Sequence, residues 1–275
     1  MADVKTVAAT LDDSIITLID QEVIVSGANR NKIDQFVETQ VEIGAKSIDF
    51  TIYSKLAVAT TALTDGTDVD AAAMADSAVT LEPKEYGNVV TPTKLANLQT
   101  GGKADRAAAK LTGINIAETT NKLGLNALEA GTNTTAASTP GTLAKGDLRG
   151  AFERLQLANI PTFDNGLYVA FVNPAQVSDI KDDYISIAQY TDLGQSVSGV
   201  VGALEGFMIV PDSQVTAGQV SVFGMGALGK AVSSEVETKI TGPFDKLGRF
   251  VNIGWLGTIE YGIVDDNAIE IITGA

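Results

Sequence analysis

Across residues 47–53, Ile48, Phe50 and Ile52 alternate with Ser47, Asp49 and Thr51, the two-residue period of a strand with one covered face. A shorter polar-apolar run at 40–43 precedes it and predicts another strand. Residues 63–77 are rich in Asp, Gly, Thr and Ala, as in Thr64-Asp65-Gly66-Thr67-Asp68, and predict an irregular connection. The chain then returns in extended form over 79–90, interrupted at Pro83. Residues 44–93 therefore predict a long two-stranded ribbon with a flexible tip. Each strand of such a ribbon has one neighbour and little to cover its apolar face, so alone in water it is at best marginally stable. Its cover is expected to come from outside the chain's own core.

Residues 1–25 place Val4, Val7, Leu11, Ile15 and Leu18 among polar positions without a sustained helical stripe, and read as an extended arm with a short helical turn. Over 103–129 there is no proline, and Gly113, Ile116, Ala117, Thr120, Gly124 and Ala127 recur at spacings of three and four. That predicts one helix of roughly 40 Å with a small-residue face. Gly131 to Gly141 is a loop closing on Pro140-Gly141, and a second unit is expected to start there. Thr142 is the expected cap of a helix whose apolar face is Leu148, Ala151, Phe152 and Leu155. A buried strand at 167–172 follows, then a helix with Asn173 as cap and Pro174 in its first turn. Further strands are predicted at 197–204, 207–210, 219–223, 231–240, 250–256, 258–264 and 268–273. The class is α+β, and no internal repeat is visible.

With 275 residues, 45% of them hydrophobic, the chain can bury a sizeable core. Cysteine and histidine are both absent, which removes disulfides, thiol nucleophiles, Ser-His-Asp triads and His-ligated metals. What remains for an enzyme is carboxylate, lysine, tyrosine and hydroxyl chemistry. The balance of 19 basic against 34 acidic residues, net −15, argues against direct nucleic-acid recognition. It is compatible with enclosing DNA, because an acidic lining does not stick to a polyanion. No run approaches the ~20 apolar residues of a membrane span, and the acidic N-terminus is unlike a signal peptide. Production in a cytoplasm, without membrane contact, is expected.

Gly224, Gly226 and Gly229 form G-x-G-x-x-G after the predicted strand 219–223, with Asp245 near the distance of a ribose ligand. A dinucleotide turn must open a helix, yet residues 230–240 are rich in Val, Ser and Thr, so a glycine-rich connector is the reading retained and no cofactor is expected. Asp65, Asp68 and Asp70, like Asp265, Asp266, Asn267 and Glu270, could gather round calcium, but neither set has the spacing of a known loop. Solvated turns are the reading retained, with no metal. Trp255 is the one tryptophan, so no aromatic sugar platform accompanies the carboxylates. Lys55 could crosslink if desolvated beside a carboxylate, against the plainer reading of a solubilising charge on an exposed strand.

Several segments in order resemble the major capsid proteins of tailed phages with the Hong Kong 97-type fold. Val79-Thr-Leu-Glu-Pro-Lys-Glu-Tyr-Gly-Asn-Val-Val-Thr-Pro-Thr is similar to the return strand of that family's extended loop. Leu143-Ala-Lys-Gly-Asp-Leu-Arg, with Leu155, Ala158 and Asn159, and then Tyr168-Val-Ala-Phe-Val-Asn-Pro, is similar to the opening of its axial domain. Val201-Gly-Ala-Leu-Glu-Gly-Phe-Met-Ile-Val resembles its closing hairpin, and Phe250-Val-Asn-Ile-Gly-Trp-Leu-Gly-Thr-Ile-Glu-Tyr-Gly-Ile-Val its last peripheral strands. Asn173 stands where relatives often place His, which leaves helix capping intact.

The resemblance implies an N-terminal arm at 1–43, an extended loop at 44–93, a peripheral domain with a spine helix at 94–141, an axial domain at 142–229 and a return to peripheral strands at 230–275. It further implies a non-enzymatic subunit assembling as hexamers and pentamers into an icosahedral head around double-stranded DNA. Its partners would be further copies of itself, a portal protein and a separate scaffolding protein, with a decoration protein as a further candidate. The opening at Met1 leads us to expect no cleaved scaffolding segment. Ile48, Phe50, Ile52, Tyr53, Leu63, Val79, Leu81, Tyr86 and Val89 are the expected inter-subunit contacts of the loop. An encapsulin compartment shell is the alternative within the fold, and a carboxylate-dependent enzyme the alternative from another class.

Overall fold

The computed structural model describes residues 31–66, 68, 71–187, 203–242 and 249–275, and for 181–187 the backbone alone. The arm expected at 1–25, Asp70, Asp245 and the first part of the strand expected at 197–204 lie outside the described residues.

Two sheets share the core. The first has four strands in the order β1 (Glu38–Val41), β10 (Leu228–Thr241), β11 (Asn252–Ile263) and β4 (Lys84–Val90), with β1 parallel to β10 and the rest antiparallel. The second has six, in the order β5 (Thr134–Ala136), β12 (Ile269–Thr273), β9 (Gln219–Phe223), β6 (Tyr168–Val172), β8 (Phe207–Pro211) and β7 (Ala203–Leu204). All five residues of β6 are buried, because the strand is central and covered on both faces. An aromatic cluster joins the sheets: Phe36, ahead of β1, packs edge-on against Phe163 at 5.5 Å, and Phe171 of β6 stacks on Phe223 of β9 at 6.0 Å.

The long helix is α2 (Lys103–Leu128), preceded by a short α1 (Lys94–Gln99) that Thr93 caps by accepting the Ala96 N–H at 3.1 Å. The small residues of α2 have a packing reason. Ala108, Ala109, Gly113, Ala117 and Gly124 are buried, and a Cβ on Gly124 would lie 2.7 Å from Ile33 Cγ2 and 3.3 Å from Tyr261 Cδ1. The helix thus lies close on the four-stranded sheet, which a larger side chain would lift away.

Helix α3 (Lys145–Leu157) turns Leu148, Ala151 and Leu155 inward as expected, but Thr142 is not its cap. Asp147 reaches back instead, accepting the Ala144 N–H at 3.1 Å and the Ser138 N–H at 2.9 Å, which ties the loop to the helix start. Helix α4 (Pro174–Ile187) opens as predicted, with Asn173 Oδ1 accepting the Ala175 N–H at 3.1 Å.

Several boundaries differ from the sequence expectation, among them the loop expected at 131–141, which holds β5. The two strands expected at 250–256 and 258–264 are one, β11, and Gly257 is not a turn: a Cβ there would lie 2.9 Å from Val236 Cγ2, where a bulge in β10 crosses over it. The return to one unit over 230–275 is incomplete, because β12 crosses into the six-stranded sheet and buries Ile269, Ile271 and Ile272 between β5 and β9. The ribbon over 44–93 is shorter than expected. Pro83 divides the return strand into β3 (Asp76–Leu81) and β4, so that β2 (Ile48–Tyr53) pairs with β3 while β4 pairs with β11.

The arm expected through residue 43 is likewise anchored from Ile33 onward. A 3₁₀ turn at Ile33–Phe36 buries Ile33 completely, and β1 follows in the first sheet. A buried polar cluster holds it. Asn121 of α2, 1% exposed, accepts the N–H groups of Lys32 and Ile33 at 3.0 and 3.3 Å and donates to Asp212 and Gln214 at 3.0 and 2.7 Å. Asp34 accepts from Tyr261 Oη and Lys230 Nζ, both at 2.6 Å. Burial, and then the Asp34 charge, push the Tyr261 hydroxyl far above its ordinary pKa, so it stays a donor.

The root of the ribbon sits in a glycine-lined seat. Gly229 and Gly262 are cross-strand partners in β10 and β11. A Cβ on Gly229 would lie 2.8 Å from both the Phe50 ring and Val264 Cγ2, and one on Gly262 would collide with Leu81. Ile48, Phe50 and Leu81 are buried there with Ala231. The last glycine of G-x-G-x-x-G is thus explained by a ring packed on it, inside a strand where a dinucleotide turn would need a helix.

Two substitutions check these contacts. Asn121→Ala leaves two buried N–H groups and Asp212 short of partners, and is expected to lower unfolding free energy by about 1–3 kcal/mol in denaturant titration. Gly229→Ala is expected to displace Phe50 at a cost of about 1–3 kcal/mol, with faster amide exchange in β2 and β3 than in β6; unchanged exchange there would refute the seat.

Candidate functional site

The ribbon divides the expected contact residues into those its own chain covers and those it leaves in solvent. Ile48, Phe50 and Leu81 belong to the seat and are buried intramolecularly, so the expectation that outside molecules cover them is corrected. The reason is local: alternation puts all three on the ribbon face turned toward β10 and β11. Val79 packs partly against the same cluster and Ile52 is half-buried. Tyr86 and Val89 lie on β4, off the ribbon. Tyr86 packs against the main core, and Val89 is exposed.

Beyond Ile52 the picture reverses. Tyr53 is exposed, and among the described residues of 54–75, which form no helix or strand, so are Leu56, Val58, Leu63 and Met74, with Val58 at 85% and Leu63 at 76%. The sequence reading missed Leu56, Val58 and Met74 because they lie beyond the alternating stretch, where no period marks a face. Such a concentration of solvated apolar side chains on one projection is a surface suited to association.

The other candidates have structural occupations. Lys55 Nζ donates to the Asn159 carbonyl at 3.3 Å, linking the ribbon to the turn after α3, where Asn159 has φ 58°. Asp265 accepts the Asn267 N–H at 3.0 Å, Asp266 accepts the Thr132 N–H at 3.0 Å, and Glu270 accepts from Arg154 Nε at 3.0 Å and from the Thr135 hydroxyl. These carboxylates fasten loops and α3 to β12. Among the described residues no group of three or more acidic side chains converges as a metal site. Asp65 and Asp68 are exposed on the ribbon segment.

A hollow of about 270 Å³ lies between α2 and the edge of the first sheet, lined by residues that include Asn88, Leu111, Thr112, Asn115, Glu118 and Trp255. Trp255 donates its indole N–H to Asn115 at 2.9 Å. Glu118 is the one ionisable group in that lining, so the hollow has no paired acid and base. No described helix is long and apolar enough to cross a membrane.

No family model and no curated protein sequence matches the chain. Solved structures do. The capsid of Ralstonia phage GP4 superimposes with a TM-score of 0.66 at 10% identity, covering 90% of this chain and 88% of that one. The capsid of the cyanophage P-SCSP1u gives 0.64 at 12% identity, with 88% of each chain covered. The SrpI encapsulin of Synechococcus elongatus gives 0.61 at 11% identity, covering 88% of this chain and 86% of that one. At such identities the likeness carries the architecture, and it extends over nearly the whole of both chains. The chain has the α+β, Hong Kong 97-type fold found in phage capsid and encapsulin shell proteins.

Proposed function

We propose that this protein is the major capsid subunit of a tailed phage, a structural protein without catalytic activity that assembles with copies of itself into a shell around double-stranded DNA. The observation that carries the reading is the ribbon: its root is fixed in the glycine seat, while Tyr53, Leu56, Val58, Leu63 and Met74 stand in solvent. A rigid root with an uncovered apolar end suits a projection that lies over a neighbouring copy. Burying each such side chain on a neighbour is worth about 1.5–3 kcal/mol, multiplied by every subunit in a closed shell.

In this reading α2 is the spine of a peripheral domain built on the four-stranded sheet, and the six-stranded sheet with α3 and α4 is the axial domain around local symmetry axes. Hexamers and pentamers form the shell, with a portal protein at one vertex, a scaffolding protein during assembly in the host cytoplasm, and a decoration protein as a further partner. The net charge of −15 is compatible with a wall that holds DNA without sequence-specific contact. The encapsulin reading keeps the same shell with a protein cargo, and the shared fold of the SrpI encapsulin supports it. Carboxylate enzymology has no paired acid and base in the hollow to support it.

Electron microscopy of the purified protein is expected to show shells, sheets or capsomers, and particles isolated from the native source are expected to contain DNA. Discrete monomers at all concentrations would refute the shell reading. Closed particles filled with a cargo enzyme and free of DNA would replace the phage reading with the encapsulin one.

A further inference from the structure

Two polar clusters lie along α2, and the chain itself closes only one of them. Toward the C-terminal end Asn121 bonds to Lys32, Ile33, Asp212 and Gln214, and the Thr120 hydroxyl donates back to the Ile116 carbonyl at 2.9 Å and accepts from Asn31 at 3.0 Å. The other cluster borders the hollow of about 270 Å³. Thr112, which lines it, is 3% exposed, yet its hydroxyl has no partner among the described residues, not even the carbonyl one turn back that Thr120 takes. Two amides line the same space. Asn115 gives its carbonyl oxygen to the Trp255 indole N–H at 2.9 Å, and Asn88 gives its own to the Val89 N–H at 2.8 Å. Each amide therefore keeps its N–H groups to donate.

The facing elements set the rest of the lining. Leu111, Asn115 and Glu118 share a face of α2 at spacings of four and three, flanked by Thr112 and Ile114, while Trp255 and Asn88 are cross-strand partners in β11 and β4. Val90, two residues on from Asn88, lies on the same face of β4. Apolar walls with a few convergent polar groups are the composition of a small-ligand site, in which the walls cover the body and the polar groups fix its orientation. Water answers a hydroxyl but gains nothing from Val90, Leu111, Ile114 and the indole. An anion is disfavoured by Glu118 and by the net charge of −15. A carboxamide matches both sets of groups: its oxygen accepts from the asparagine amides, and its N–H groups donate to the Thr112 hydroxyl and toward Glu118.

We propose that the hollow between α2 and the β4–β11 pair is a binding site for a small, uncharged molecule with a short aliphatic body and a carboxamide head. The bound molecule covers Leu111, an exposed apolar residue of α2, and bridges the long helix to the edge of the first sheet. The site lies within one chain, so the inference does not depend on the shell reading.

Trp255 is the one tryptophan of the chain, so its fluorescence reports occupancy of this hollow alone. Hexanamide is the probe, titrated into the intact protein beside hexanoate, which has the same chain length and a carboxylate head. A saturable change with hexanamide is expected, and hexanoate is expected to bind about tenfold more weakly or less. Thr112→Val keeps the shape of the side chain and removes the hydroxyl; it is expected to weaken hexanamide binding about fivefold, with Thr112→Ser within about twofold of wild type. Because a buried hydroxyl without a partner contributes no bond to the fold, Thr112→Val is also expected to melt no lower than wild type. No saturable change, equal binding of hexanoate, or undiminished binding by Thr112→Val would overturn the proposal. A lowered melting temperature of Thr112→Val would overturn it too, since the hydroxyl would then serve the chain itself.

Discussion

A two-stranded ribbon cannot bury its own apolar side chains, and the rest of this structure is arranged around how that limit is met at one end and left open at the other. At the root, Gly229 and Gly262 remove the Cβ atoms that would occupy the space of Phe50 and Leu81, so the ribbon leaves the four-stranded sheet from a packed seat. At the far end no comparable seat exists among the described residues for Leu56, Val58, Leu63 and Met74, all of them exposed. The first arrangement fixes direction, and in the proposed shell the second supplies the drive for association. A floppy root would spend much of the association energy on ordering the ribbon.

The same division runs through the body. Small residues let α2 lie close on the sheet, and the Asn121 and Asp34 clusters secure the 3₁₀ turn at Ile33–Phe36 across the helix and β10–β11. Asn121 is buried, and a polar group buried this deeply is stabilising only when it has its partners, which makes the position of this turn well specified. Both sheets therefore present their outer surfaces from a firm frame. The proposed shell, in which one geometry is repeated many times, needs that firmness.

Much of this was legible in the residues, and the reasons for the rest are physical. The alternation of Ile48, Phe50 and Ile52 marks a strand, the small-residue spacing marks α2, and Asn173-Pro174 marks the start of α4. Alternation tells which residues share a face but not whether that face meets solvent, a neighbour or the chain itself, so Phe50 and Leu81 were read as outside contacts when they are seated on glycines far away in sequence. A glycine between two apolar runs, as at Gly257, or after a strand, as at Gly229, suggests a turn from sequence alone, where the structure has close approach. Short elements such as α1 and β5 are set by tertiary pairing and carry little periodic signal. The exposed Leu56, Val58 and Met74 lie in an irregular segment, and nothing in their spacing distinguishes a solvated apolar residue from a covered one.

The central claim is that the distal ribbon is uncovered in the free subunit and covered in the assembly. Hydrogen–deuterium exchange compares the two directly, with amides of the 54–75 segment followed in dispersed subunits and in assembled particles. The account predicts rapid exchange there in the dispersed protein and marked protection after assembly, while β6 is protected in both. Protection of that segment already in the dispersed subunit, or its continued rapid exchange inside the particle, would contradict it.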